Sequence, residues 1–409
     1  MKKTIKLAVV AALALGATSA FATNGSTMIS TGAKATGMAG VGIGMSHGAE
    51  SALTNGALIT DVEGTEISFG GTLFMPDVSF DNGAGAEDSD ANMNVIPTVA
   101  VATKVSDNLY IGVGMWGTAG MGVDYRDEDA NMNFVSNLQL MQFAVPVAYK
   151  IAGVSLAITP LLQYGSLDMT YDANGHANAG GESSTHGVAQ DLQFGYNLGA
   201  SYEISDITIG AMYKSEIEMT YDGQISQAMH DFTGADASMF SDKLSTPAEI
   251  GLGVSYNMNE HTIAVDYKQI KWSSAAGYED FEWDDQSVYS IGYEYATKTW
   301  ALHAGYNYAE SPISEQTDTT PGTIAGPAGP TAGQLLNTFN LLGFPAIVES
   351  HITIGGTYVA SEQTSFDLAY VYSPEVTETY NGMDTAAAGH DIETKHSQSA
   401  VSAQVTFNF

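Results

Sequence analysis

The stretch Val188–Ile204 alternates with a period of two. Leu192, Phe194, Tyr196, Leu198, Tyr202 and Ile204 fall on one face, and Asp191, Gln193, Gly195, Asn197, Gly199 and Ser201 on the other. Successive side chains of a strand point to opposite faces, so one face is oily and the other small or hydrated. Strands in soluble domains run about 5–6 residues, and this one is about three times as long. Such a strand suits the wall of a transmembrane β-barrel.

The pattern recurs. It predicts fourteen strands, near Thr65–Phe80, Met93–Val105, Asn108–Tyr125, Asn137–Ile151, Val154–Tyr171, Gly187–Ile204, Ile207–Tyr221, Pro247–Asn257, His261–Trp272, Ser287–Tyr295, Thr299–Ala309, Glu349–Val359, Thr364–Val376 and Ser397–Phe409. The connections alternate in length. Short turns such as Ser106-Asp107, Ala152-Gly153 and Ser205-Asp206 take turns with long loops such as Asp172–His186, Asp222–Thr246 and Ser311–Val348. Outer-membrane barrels have short periplasmic turns and longer extracellular loops, and an even strand number. A soluble sandwich has no reason to alternate so strictly. The fold class expected is therefore all-β: a 14-stranded antiparallel transmembrane barrel over residues 65–409. The last strand ends Val405, Phe407, Phe409 on its apolar face, as a closing strand would.

Three stretches break the pattern. Residues 23–64 are rich in Gly, Ala, Ser and Thr with little periodicity; they read as a plug in a confined space or as a flexible leader. In the third strand Gly112, Gly114, Gly117, Gly120 and Gly122 crowd together. Glycine in a strand marks a bulge or bend, or makes room for something packed against it. Two long loops carry apolar residues, Met229, Phe232 and Phe240 in one and Leu335, Leu336 and Phe339 at helical spacing in the other. They are candidate ligand-binding residues, a greasy landing site; packing of loop on loop over the barrel mouth is the alternative.

Composition narrows the compartment. Lys2, Lys3 and Lys6 precede the apolar run Leu7–Ala17 and the small-x-small triplet Ala20-Phe21-Ala22, so residues 1–22 read as a signal peptide and Thr23 as the mature start. Cleavage would move the formal charge from −33 to −36. Arg126 is the only arginine, which excludes nucleic acid as a partner. There is no cysteine. No later segment is apolar over the roughly 18 residues of a membrane helix.

Catalytic and metal chemistry find little support. His303 and His351 are assigned to lumen-facing positions of adjacent strands, but no G-x-S-x-G elbow accompanies them. Neither Glu87-Asp88-Asp90 nor Asp124-Asp127-Glu128-Asp129 has EF-hand spacing. These acids read as solvated loop charge, bridged by divalent ions to lipopolysaccharide. No catalytic residue, no metal and no cofactor is expected.

At these residues the chain resembles the FadL family of outer-membrane long-chain fatty-acid transporters, which includes TodX-type aromatic-hydrocarbon channels. The resemblance rests on the glycine-rich leader running into Asn55-Gly56-Ala57-Leu58, on Thr246–Ile313, and on Phe344–Tyr372. It implies a monomeric, multi-pass barrel of the Gram-negative outer membrane. Residues 23–64 would be a hatch inside it, gated around Asn55, Gly56 and Ala57. Ligand would be caught by the extracellular loops and would leave sideways where the third strand, at Gly112, Gly114, Gly117 and Gly120, kinks inward. The family's Asn-Pro-Ala is Asn-Gly-Ala here, so the turn that proline would fix is absent.

The function expected is passive transport of hydrophobic compounds, long-chain fatty acids first. Inward-facing acids, assigned at Asp191, Glu203, Glu216, Glu249, Asp266, Glu294 and Asp367, would repel a carboxylate unless Lys214 or Lys268 neutralised them. Neutral aromatic hydrocarbons are therefore the alternative. An adhesive barrel, whose loops should be polar, is the alternative of another class.

Overall fold

The computed structural model describes residues 23–128, 131–172, 183–185, 187–233, 237–319, 330–383 and 391–409. The expected signal peptide and Asp129 lie outside them. Fourteen wall strands run in antiparallel order. They are β1 (Thr65–Asp81), β2 (Asn94–Lys104), β3 (Leu109–Asp124), β4 (Val135–Ala144 and Val147–Ile151), β5 (Val154–Asp172), β6 (Ala189–Ile204), β7 (Ile207–Lys214), β8 (Glu249–Met258), β9 (His261–Ile270), β10 (Gln286–Ala296), β11 (Trp300–Ala309), β12 (Ser350–Ser361), β13 (Thr364–Asn381) and β14 (Asp391–Asn408). β14 pairs with β1 from Asn408↔Glu66 to Glu393↔Asp81, which closes the barrel.

The alternation points the way the sequence implies. Leu192, Phe194, Tyr196, Leu198 and Tyr202 of β6 are exposed on the exterior, Phe194 at 80%, while Asn197 and Ser201 are buried inside. An exterior richer in apolar side chains than the interior is the signature of a protein solvated by lipid. Aromatic pairs gather near the strand ends, Tyr196 with Tyr213 and Tyr267 with Tyr289 toward the long loops, Tyr295 with Trp300 toward the short turns. Such girdles anchor a barrel at the two membrane interfaces.

Three strands depart from their expected limits. β7 stops at Lys214 rather than Tyr221. Past it the burial parity reverses: Ile217, Met219 and Tyr221 are buried, Glu216 and Glu218 exposed. This segment leans into the lumen, where glycines leave room for it. A Cβ on Gly195 would meet Ile217 at 2.6 Å, and one on Gly165 would meet the Tyr221 hydroxyl at 2.3 Å. Glu216 therefore does not face the lumen as assigned. β13 and β14 reach further than expected, pairing up to Asn381↔Asp391 across half of the anticipated loop.

Residues 23–64 fill the lumen. They contain the short helix α1 (Ala33–Gly37) and two 3₁₀ turns, Gly48–Leu53 and Gly56–Asp61. Wall groups satisfy their backbone. Asp266 of β9 accepts the Gly42 and Ile43 N–H groups at 2.7 and 2.8 Å, and Ser255 of β8 donates to the Gly44 carbonyl at 2.7 Å. The approach is so close that a Cβ on Gly210 of β7 would lie 1.7 Å from the Ile43 carbonyl oxygen.

That contact gives a prediction. Gly210→Val should leave the barrel folded, still shifting on a gel when heated, while exposing residues 23–64 to proteinase K. A variant as resistant as the parent would show that the inner segment is not seated there.

Candidate functional site

Beside the inner segment the wall is interrupted between β2 and β3. β2 and β3 pair from Lys104↔Tyr110 only as far as Thr98↔Trp116. Beyond that point Asn94–Pro97 stay with β1, while β3 turns inward through a bulge at Thr118. The N-terminal segment takes up the freed edge: Thr27 pairs with Ala119, and the Gly120 N–H donates to the Ser26 carbonyl at 3.3 Å. The glycines of β3 divide in purpose. Gly112 makes room for Pro146 at the break in β4, and Gly114 makes room for Leu53 of the inner segment. Gly117 flanks the bulge and Gly120 meets the N-terminal segment.

Behind the interruption lies an internal cavity of about 60 Å³. Met28, Ile29, Trp116, Leu161 and Val288 give it an apolar side. Its polar side carries Lys214 and Lys268, 3.4 and 3.3 Å from the two oxygens of Glu249. One carboxylate thus holds both ammonium groups. Gln142, Gln163 and Thr246 are bonded to each other at 2.8 Å beside them.

The long loops form the second part. Helix α2 (Ile225–Thr233) and helix α3 (Ala332–Thr338), which widens into a π turn at Phe339–Gly343, meet over the mouth. Thr331 and Gln334 cap α3 reciprocally, so the sequence itself starts that helix. Met229, Phe232, Leu335 and Phe339 line one apolar pocket, as the sequence grouped them, joined by Phe134 and Met383. Leu336 and Phe240 are half-buried and lie outside its lining. The pocket's free volume, about 20 Å³, is room for one or two waters, so a larger guest must push these side chains apart.

An aromatic cluster joins the pocket to the N-terminal segment. Phe339 packs on Phe281 at 4.7 Å, Tyr278 on Trp283 at 4.6 Å and on Trp272 at 4.5 Å. The Tyr278 hydroxyl then reaches Ser26 Oγ at 3.0 Å. The residues that pair with β3 therefore also touch the lid. Sequence periodicity did not gather this cluster, because Tyr278, Phe281 and Trp283 sit in the loop after β9.

Asn55 anchors the expected gate. Its Nδ2 donates to Ile43 O at 2.8 Å and to Ala200 O on β6 at 3.1 Å, and its Oδ1 accepts the Ala57 N–H at 3.1 Å. Gly56 packs toward Pro146 and Thr159 of the wall. The side chain at 55 thus ties the inner segment to itself and to the wall without a proline.

The remaining sequence candidates disperse. His303 and His351 are both buried and inward, but His303 faces Gly355 and His351 faces Asn307, so they do not meet. His303 Nε2 lies 3.0 Å from Glu294 Oε2. Among the described residues no group of three or more His, Asp or Glu is placed to hold a metal ion. At the long-loop end every described Lys and Arg is matched: Arg126 to Asp124, Lys243 to Glu218, Lys271 to Asp285 and Lys395 to Glu393. Hydrogen bonds to Asp124 and Glu218 hold the Arg126 and Lys243 cations above their usual range. Burial raises the Asp285 carboxyl, but bonds from Lys271 and Ser273 outweigh it and leave the group below its usual range.

The family model described as outer membrane protein transport protein (OMPP1/FadL/TodX) matches residues 10–321. Solved structures with the same fold include the Pseudomonas putida toluene transporter TodX, at 17% identity and TM-score 0.66, covering 93% of this chain and 99% of that one. A Pseudomonas aeruginosa FadL homologue matches at 15% identity and TM-score 0.68, covering 94% and 100%. The Ralstonia pickettii toluene transporter TbuX matches at 16% and TM-score 0.64, covering 93% and 99%. A curated Chlorobium limicola protein, described as an uncharacterized protein in the phosphoenolpyruvate carboxykinase gene 5′ region, is 36% identical over 121 residues, 28% of this chain and 60% of its own length. The chain thus spans less than two thirds of that relative.

Opening the loop pocket to polarity tests its character. Phe339→Ser should weaken binding of a fluorescent hydrophobic probe to the detergent-solubilised protein by tenfold or more, the loss on the order of one buried aromatic at ~1.5–3 kcal/mol. Unchanged probe affinity would show that the pocket is only packing.

Proposed function

Since the chain belongs to the outer-membrane transport family of OMPP1, FadL and TodX, a family of channels and not of enzymes, we propose that it carries neutral hydrophobic compounds passively into the outer membrane. We place aromatic hydrocarbons ahead of long-chain fatty acids. Residues 1–22 direct export and are removed, and residues 23–64 act as the hatch. Ligand is caught between α2 and α3, passes the aromatic cluster, rests in the internal cavity, which must widen from about 60 Å³ to take it, and leaves through the interruption between β2 and β3 into the outer leaflet.

The observation that carries the substrate class is the pairing of cations. A carboxylate is gripped by free Arg or Lys donors. Each described Lys and Arg at the mouth is already matched to an acid, and the capture pocket is apolar. The formal charge of −33 adds long-range repulsion of anions. A hydrocarbon pays none of these costs. One observation favours the fatty-acid reading: Lys214 and Lys268 line the cavity, so a ligand carboxylate that displaced them from Glu249 and from the neighbouring Asp266 would find ammonium donors there.

Uptake of radiolabelled toluene and oleate by a deletion strain carrying the parent or Lys214→Met separates the two. We expect toluene uptake to need the protein and to survive the substitution. Oleate uptake lost with Lys214→Met would restore fatty acid as the substrate. If neither compound depended on the protein, transport would be the wrong function.

The exit has its own test. Continued pairing past Thr98↔Trp116 would bring position 97 opposite position 117. A Pro97→Cys, Gly117→Cys double variant should, once oxidised, draw the strands together and abolish uptake, with recovery on reduction. Uptake unaffected by the cross-link would move the exit elsewhere.

A further inference from the structure

The cavity behind the wall interruption holds polar atoms that have nothing to bond. Asn197 of β6 is 5% exposed, and its Oδ1 is buried without a hydrogen-bond partner. Thr118, the extra residue of the β3 bulge, has its Oγ1 buried in the same condition. Both residues line the cavity, together with Met28, Trp116 and Leu161. A buried amide or hydroxyl left unbonded costs about 1–3 kcal/mol, so two in one cavity are expensive to keep. Asn197 is not held there by the wall ladder, which uses only its backbone against Lys214 and Thr159.

We infer that this cavity is a recognition subsite for hydrophobic compounds carrying one uncharged hydroxyl group, with Asn197 Oδ1 accepting its proton and the Thr118 hydroxyl donating to its oxygen. This deepens the proposed transport of neutral hydrophobes and rests on it. A carbonyl oxygen has no proton to give and a hydroxyl can accept or donate, so the pair is matched to a ligand hydroxyl. The apolar side takes the ring or chain. A site built to bond a ligand hydroxyl discriminates against the analogue that lacks it, because its own polar atoms are then left unpaired. Lys214 and Lys268 do not compete for this role, being held on Glu249. Placement next to Trp116, the last β3 residue paired with β2, puts the subsite at the threshold of the exit.

The test compares toluene with 4-methylphenol, which adds only the hydroxyl and is uncharged at pH 7, as a tyrosine phenol is. Equilibrium binding to the detergent-solubilised full chain should favour 4-methylphenol by about tenfold, the worth of one hydrogen bond in a buried site. Asn197→Leu should erase that preference and leave toluene binding the same or tighter. Thr118→Val should reduce it, and serves if the first variant does not assemble. Equal affinities in the parent protein, or a preference that survives both variants, would overturn the inference. Toluene uptake that depends on the protein, without any preference for the phenol, would sink the subsite alone. Toluene neither bound nor taken up would remove the transport reading and the subsite with it.

Discussion

In hydrocarbon there is no water to satisfy a peptide group, so each N–H and C=O of a membrane wall must find a partner in the protein. The architecture follows from that constraint. Strands β1 to β14 close on themselves through the long β14–β1 ladder, and no free edge remains there. Where the ladder between β2 and β3 ends at Trp116, the released edge is met from inside by Thr27 and Ser26. An opening in the wall is tolerable because the N-terminal segment supplies part of the missing bonds.

The same trade ties the parts of the proposed route together. The N-terminal segment touches the loop helices' aromatic cluster through Ser26 and Tyr278, the interrupted wall through Thr27 and Ala119, and the cavity through Met28. A guest that displaces it at one point disturbs it at the others. Each aromatic pair in the lid is worth about 0.5–1.5 kcal/mol, so a few of them hold the mouth closed without making it rigid. The inner segment is fixed more firmly, by the Asp266 carboxylate on two of its amides and by Asn55 on Ile43 and Ala200.

The strands were legible because lipid imposes one rule on every stave. Phe194 and Asn197 sit on opposite faces for the reason their spacing announces. Alternation of short and long connections gave the strand number independently. The limits of β7 were not legible, since Ile217, Met219 and Tyr221 keep the period of two while changing sides at Lys214–Ser215. Periodicity records which residues share a face, but not whether that face looks at lipid or at another part of the lumen. Four of the six loop residues singled out for their apolarity do share a pocket, because helical spacing in α3 and in α2 brings them to one side. Phe240, beyond α2, does not. The cavity could not be read at all. It is made by Met28, Trp116, Asn197 and Lys214, which are distant in sequence and gathered only by closure of the barrel. The β3 glycines carried a true signal of irregularity, yet Gly112 and Gly114 answer to packing and only Gly117 and Gly120 border the bend.

The central claim is that a neutral hydrophobe lodges behind β3 and departs between β2 and β3. A crystal of the protein soaked with 4-iodotoluene locates it directly through the anomalous signal of iodine. The account predicts peaks between Met28, Trp116 and Leu161 and in the breach beyond Thr98. Iodine found instead along the barrel axis beneath residues 42–57, on a path to the periplasm, would contradict it.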